Sequence, residues 1–299
     1  MVKSGSKGQK KFGLALSGGG ARGFAHIGLL KVLDREKIRP SYLSGTSMGA
    51  VIAAAYAAGM SGKEIEAEAM KFSSTRNLVR MVHLTPPFKG LINQSKMVQY
   101  LSDMIPSGLQ FDELDIPLAI CATDLLQSHP VALTEGQVLP AVLASSSIPG
   151  VFPPVEMPPY RLVDGGVLNN LPVDLVYQLG AEKVVAVDVQ IDPRKNTPWQ
   201  ESHREQKWSM PVSENILDLL WSETIMSARI TALNLTTYPP DVYIRMPIDK
   251  EITVLMGFPH ARQIIDIGEE TAEQYLPIIK QVLENTIPLA ENKGTESRH

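Results

Sequence analysis

Two short glycine-rich stretches carry the residues best suited to chemistry: "SGGGARG" at 17–23 and "SGTSMG" at 44–49. The first follows the apolar run Phe12, Leu14, Ala15, Leu16 and contains Gly18-x-Gly20-x-x-Gly23, the spacing of a loop that turns its amides toward a dinucleotide pyrophosphate. That use asks for an Asp or Glu closing the next strand, about 20 residues on. The chain offers instead Gly45-Thr46-Ser47-Met48-Gly49. Gly-x-Ser-x-Gly between a strand and a helix is the arrangement of a nucleophile elbow. Gly45 and Gly49 remove side chains that would collide across a sharp turn, the Ser47 hydroxyl projects outward, and the following helix aims its first amides at developing negative charge.

A serine hydroxyl is a poor nucleophile until a neighbour accepts its proton. His203 or His260 would complete an order of serine, aspartate and histidine, but the fold that uses it builds several strands before its nucleophile, and one strand precedes Ser47. His26, His83 and His129 have no better setting. A carboxylate is the other choice. "LVDGG" sets Asp164 at a strand end before Gly165 and Gly166, where it reads either as a hydrogen-bonded turn aspartate or as a side chain projecting from the sheet edge. No Cys/His cluster has ligand spacing, so neither metal nor cofactor is expected. The bland reading of Arg22 is a structural salt bridge.

These residues need elements to hold them. Residues 12–16 read as a buried strand leading through the glycines into a helix with Phe24, Ile27, Leu30 and Leu33. Pro40 opens a second strand, expected to break at Gly45 before the alanine-rich helix "SMGAVIAAAYAAG". Helices are expected at 62–72, 95–104 and 137–146, with strands in "PLAICATDL" and "HPVALTEG". The small-residue helix ends in "SSSIPGVFPP", and the stretch from Arg161 to Val189 gives strand end, Gly-Gly turn, helix and strand. A polar loop at 191–212, a helix at 213–235 with Leu219, Leu220 and Ile230, a strand "DVYIRM" and a closing helix at 258–285 interrupted at Pro277 complete the pattern. The rhythm is that of an α/β fold: a single domain at 12–285 with a mostly parallel central sheet covered by helices on both faces. A basic N-terminal tail (1–11) and a C-terminal tail (286–299) flank it.

The totals bound the function. The 299 residues are 44% hydrophobic and 20% charged, the balance of a folded chain with a sizeable core. Lys3, Lys7, Lys10 and Lys11 leave 24 basic against 32 acidic residues in the remainder, so an acidic body without a basic, aromatic-interleaved stripe argues against nucleic acid as a partner. The lone Cys121 excludes an internal disulfide and reads as a buried small hydrophobe. With no run of about 20 apolar residues and no leader pattern, a soluble cytoplasmic protein is expected. Peripheral contact with anionic lipid through the basic tail stays open, as does the oligomeric state.

Taken together and in order, "SGGGARG", "GTSMG", "ASSSIPGVFPP" and "DGG" resemble the patatin-like phospholipase family, over residues 17 to 166. The resemblance implies a three-layer patatin-like fold and a serine acyl hydrolase with a dyad free of histidine, Ser47 as nucleophile and Asp164 as base. It implies an oxyanion hole from the amides of Gly18, Gly19 and Gly20, with Arg22 binding a phosphate or bracing the loop. Phospholipid, lysophospholipid or another acyl ester would be the substrate. Alternatives are a carboxylesterase with a histidine-containing triad and a nucleotide-binding module built on the first loop. For a lipid substrate, residues 76–92 read as an interfacial flap or as packing against the body, and "WSMPV" at 208–212 as an acyl-pocket border.

Overall fold

The computed structural model of the protein describes residues 11–73, 94–192, 214–249, 252, 254 and 257–284. Among them, eight strands form one sheet: β1 (Phe12–Leu16), β2 (Tyr42–Thr46), β3 (Leu118–Asp124), β4 (His129–Leu133), β5 (Val155–Met157), β6 (Tyr160–Asp164), β7 (Lys183–Asp188) and β8 (Val242–Arg245). The helices are α1 (Ala25–Arg35), α2 (Met48–Ala57), α3 (Gly62–Phe72), α4 (Gln94–Met104), α5 (Val138–Ser145), α6 (Val173–Gln178), α7 (Glu214–Thr237) and α8 (Ala261–Glu284). No helix among the described residues is long and apolar enough to cross a membrane.

Strands β3, β2, β1, β7 and β8 are parallel neighbours, as the strand and helix alternation predicts. The other end of the sheet is antiparallel. β4 pairs along Ile120 to Asp124 on one edge of β3. The opposite edge is shared: β2 pairs as far as Thr46 with Cys121, and antiparallel β6 takes over from Asp164 with Ala122. Two strands thus run toward each other along one edge, and their C-terminal ends meet.

The pleat divides the core. Phe12, Leu14 and Leu16 of β1 and Val185 and Val187 of β7 face the cluster packed by α1, α2 and α8. Ala15, Val184 and Ala186 face Val173 and Val176 of α6 on the other side. Each fully buried Leu, Val or Phe stabilises this arrangement by about 1.5–3 kcal/mol. Helix α2 is apolar around its whole circumference because it is buried all round. Cys121 is buried, facing Leu175 of α6.

Three boundaries depart from expectation. The second strand does not break at Gly45 but runs on to Thr46, held by the ladder to β3. The proline-rich stretch after Pro154 contains a short edge strand, β5, that pairs with β6 through Val155 and Met157. Helix α8 runs through Pro277, since Thr271 and Ala272 before it and Ile279 and Leu283 after it are buried and keep both halves docked. In α7, Leu219 is exposed rather than buried.

Candidate active site

The elbow is built by close approach of backbone. A Cβ on Gly45 would stand 2.5 Å from the Gly49 carbonyl oxygen, and one on Gly49 would stand 2.3 Å from that of Leu16. Only glycines let β2, α2 and the end of β1 crowd together in this way. Between them Ser47 is held at φ 53° and ψ −124°, a conformation that costs a non-glycine residue roughly 1–3 kcal/mol and survives only where its surroundings fix it. Part of that fixing comes from Ser145 at the end of α5. Its Oγ accepts from the Ser47 N–H at 2.9 Å and donates to the Cys121 carbonyl at 2.6 Å.

The meeting of β2 and β6 brings the serine to a carboxylate. Ser47 Oγ donates to Asp164 Oδ2 at 2.6 Å, across 117 positions of sequence. Asp164 Oδ1 accepts from the Gly166 N–H at 2.8 Å, the turn bond expected of an aspartate before two glycines, so the turn and projecting readings hold together. A Cβ on Gly165 would lie 2.4 Å from the Cys121 carbonyl oxygen, so the turn can pack against β3 only with glycine there. Burial pushes the Asp164 pKa up to about 6, opposed by the bonds from Ser47 and Gly166.

The glycine loop closes the site from the side of β1. The Gly18 N–H donates to the Asn170 carbonyl at 3.1 Å, and Asn170 Nδ2 returns a bond to the Gly18 carbonyl at 3.2 Å. Gly19 and Gly20 border the cavity that also holds Ser47 and Asp164. Gly20 adopts φ +52°, and a Cβ there would strike the Val254 carbonyl. Residues 169–172 are further tied to β2, because Thr46 Oγ1 donates to the Asn169 carbonyl and Ser44 Oγ to that of Pro172.

Arg22 lies buried behind the loop rather than in the cavity. Its guanidinium donates to the carbonyls of Val189, Asp249, Ile252 and Ile248 at 2.7–3.2 Å. His26 is wholly buried, its Nε2 paired with the Ser17 carbonyl at 2.9 Å, and burial lowers its pKa to about 4. His129 and His260 are exposed, and no described histidine lines the cavity. His83, His203, the 76–92 flap, the "WSMPV" border and the tail lysines Lys3, Lys7 and Lys10 lie outside the described residues. No described cluster of His, Cys, Asp and Glu could hold a metal ion.

The cavity contains residues that sequence reasoning passed over. Asn170 follows the Asp-Gly-Gly turn but belongs to no motif of its own. Glu223 and Ser227 sit on α7, where a charged residue between apolar ones looks like a solvated face, and Gln190 follows β7. Burial and the nearby Asp164 carboxylate push the Glu223 pKa up to about 7. Ser145 lay in plain view in "ASSSIPG", without a signal to single it out from Ser146 and Ser147.

Comparison with known proteins bears on the same residues. The family model described as patatin-like phospholipase matches residues 14–177. Neuropathy target esterase sws of Drosophila melanogaster is 32% identical over 181 residues, 59% of this chain and 13% of the relative. An uncharacterized NTE family protein of Mycobacterium tuberculosis is 33% identical over 176 residues, 59% of this chain and 48% of the relative. The chain therefore spans less than half the length of these relatives. Among solved structures, VipD from Legionella pneumophila aligns with a TM-score of 0.42 and 15% identity over 87% of this chain and 67% of that chain.

Proposed function

Because the chain belongs to the patatin-like phospholipase family, we propose that it is a serine acyl hydrolase that releases fatty acid from lipid acyl esters by a Ser47–Asp164 dyad. The observation that carries this reading is the 2.6 Å bond from Ser47 Oγ to Asp164 Oδ2 in a cavity bordered by the glycine loop. In the first step Asp164 accepts the hydroxyl proton as Oγ attacks the ester carbonyl. The tetrahedral adduct collapses, the C–O bond to the alcohol breaks, and Asp164 returns the proton to the departing oxygen. Water then attacks the acyl-enzyme, again losing a proton to Asp164, and the acid leaves as the proton goes back to Ser47 Oγ.

The raised pKa serves this chemistry. An ordinary aspartate near 3.9 is a feeble base, whereas one held near 6 is still ionised at neutral pH and takes a proton more readily. The oxyanion would be held by the amides of Gly19 and Gly20, since that of Gly18 is engaged by Asn170. Losing one such donor typically costs ~2.7–4 kcal/mol of transition-state stabilisation. The N-terminal end of α2 adds its partial positive charge. Arg22 acts as a brace for the loop in this reading, its donors being turned to main-chain carbonyls. Phospholipids, lysophospholipids and simpler acyl esters all fit the reaction.

Labelling with a fluorophosphonate tests the assignment. A phosphonyl adduct on the Ser47 peptide is expected, absent in Ser47→Ala and strongly suppressed in Asp164→Asn. Folded protein that takes no label overturns the reading, and loss of activity in one folded histidine variant favours the triad esterase instead.

A further inference from the structure

The face of α7 that borders the cavity carries Leu220, Glu223, Thr224 and Ser227, spaced by the three- and four-residue steps that align side chains along a helix. The lining is mixed. Ile148, Leu220 and Val254 are apolar, whereas Glu223, Ser227 and Gln190 are polar, and Gln190 Nε2 donates to Ser227 Oγ at 2.9 Å. Glu223 makes no ion pair or side-chain hydrogen bond with any described residue, and the charge acting on it is the like charge of Asp164. No described lining residue is basic, and Arg22 has its guanidinium turned to carbonyls behind the loop. The Glu223 carboxyl is half-buried and lines the cavity with no partner among the described residues. In a catalytic cavity the natural complement is a part of the substrate.

On the acyl-hydrolase reading above, we propose that Glu223 is a specificity-determining residue. With Ser227 and Gln190 it receives the alcohol portion of the ester, and its carboxylate discriminates against substrates whose alcohol portion carries net negative charge. The acyl chain lies against Ile148, Leu220 and Val254. Hydroxyls of a neutral alcohol donate to Glu223, while a phosphate monoester there meets two carboxylates and no cation among the described residues. Repulsion in a partly closed cavity is screened far less than in bulk water.

The test uses soluble octanoyl esters of glycerol (neutral) and of glycerol phosphate (anionic), below their micellar concentrations so that surface charge plays no part, at pH 8. Wild-type protein is expected to favour the neutral ester in kcat/KM. In Glu223→Gln the neutral-to-anionic ratio falls about tenfold, equivalent to ~1.4 kcal/mol, mostly through a lower KM for the anionic ester. Glu223→Asp, which keeps the charge, retains most of the preference, an outcome a merely structural role would not produce. A wild type with no charge preference, or a ratio unchanged in Glu223→Gln, overturns this inference while fluorophosphonate labelling of Ser47 leaves the hydrolase reading standing. Absence of labelling in folded wild type overturns both.

Discussion

Asp164 is buried, yet to act as the proposed base it must ionise, and the opposition has measurable consequences. With its pKa near 6, the fraction of carboxylate falls below that value, so kcat/KM for an acyl ester should decline about tenfold per pH unit beneath pH 6. A pH–rate profile checks this, and a decline centred near 4 would contradict it. The same shift acts on stability. The unfolded chain releases this proton near 3.8 and the fold holds it to about 6, so ionisation destabilises the fold progressively between those values and the full cost is present above pH 6. Asp164→Asn keeps the acceptor for Gly166 and removes the charge. It should be inactive but more stable than wild type by ~2–3 kcal/mol at pH 8, with the difference vanishing near pH 4, as denaturant titrations at both pH values would measure. Ser145 acts differently. Ser145→Ala leaves the buried Ser47 N–H without its acceptor, so a loss of ~1–3 kcal/mol and a lower labelling rate at Ser47 are expected from melts and fluorophosphonate kinetics.

Between elements, backbone packs directly on backbone where α1 crosses α8. A Cβ on Gly268 would lie 2.1 Å from the Ala25 carbonyl, and one on Gly28 lies 2.2 Å from that of Ile265. Gly268→Ala should force the helices apart and cost about 1–3 kcal/mol in a urea melt, while labelling of the folded protein at Ser47 continues, because no residue of α1 or α8 lines the cavity. Local constraints of this kind are what a sequence displays well. Gly45, Ser47 and Gly49 are legible because the elbow tolerates few residue types, and the parallel strands are legible because buried apolar runs alternate with helical periods. The antiparallel insertion of β6 is not legible. "RLVD" reads the same in either direction of pairing, and nothing near Asp164 announces that its strand shares an edge of β3 with β2. Glu223 is hidden for a related reason, since the face α7 turns to the cavity depends on tertiary packing rather than on its own weak amphipathic pattern. Pro277 misleads in the opposite sense, because local propensity says break and buried neighbours on both sides prevail.

Across the whole molecule, the chain's ends of meaning are brought together by a few long-range ties. Arg22 near the first strand reaches carbonyls more than 160 positions away, at Val189, Ile248 and Ile252. Arg22→Met would strand these buried acceptors and should destabilise the protein by ~3 kcal/mol or more, and Arg22→Lys would rescue little, because an ammonium cannot present the planar fork; thermal melts of both variants decide it. The segment 169–172 has a wider consequence. Its carbonyls and one amide side chain grip Ser44, Thr46 and Gly18, so the strand leading to Ser47 and the glycine loop are fastened to the stretch that follows the Asp164 turn. Loosening this clasp should release all three parts together, so that during mild denaturation fluorophosphonate labelling at Ser47 is expected to vanish in the same step that exposes the clasp's amides to exchange.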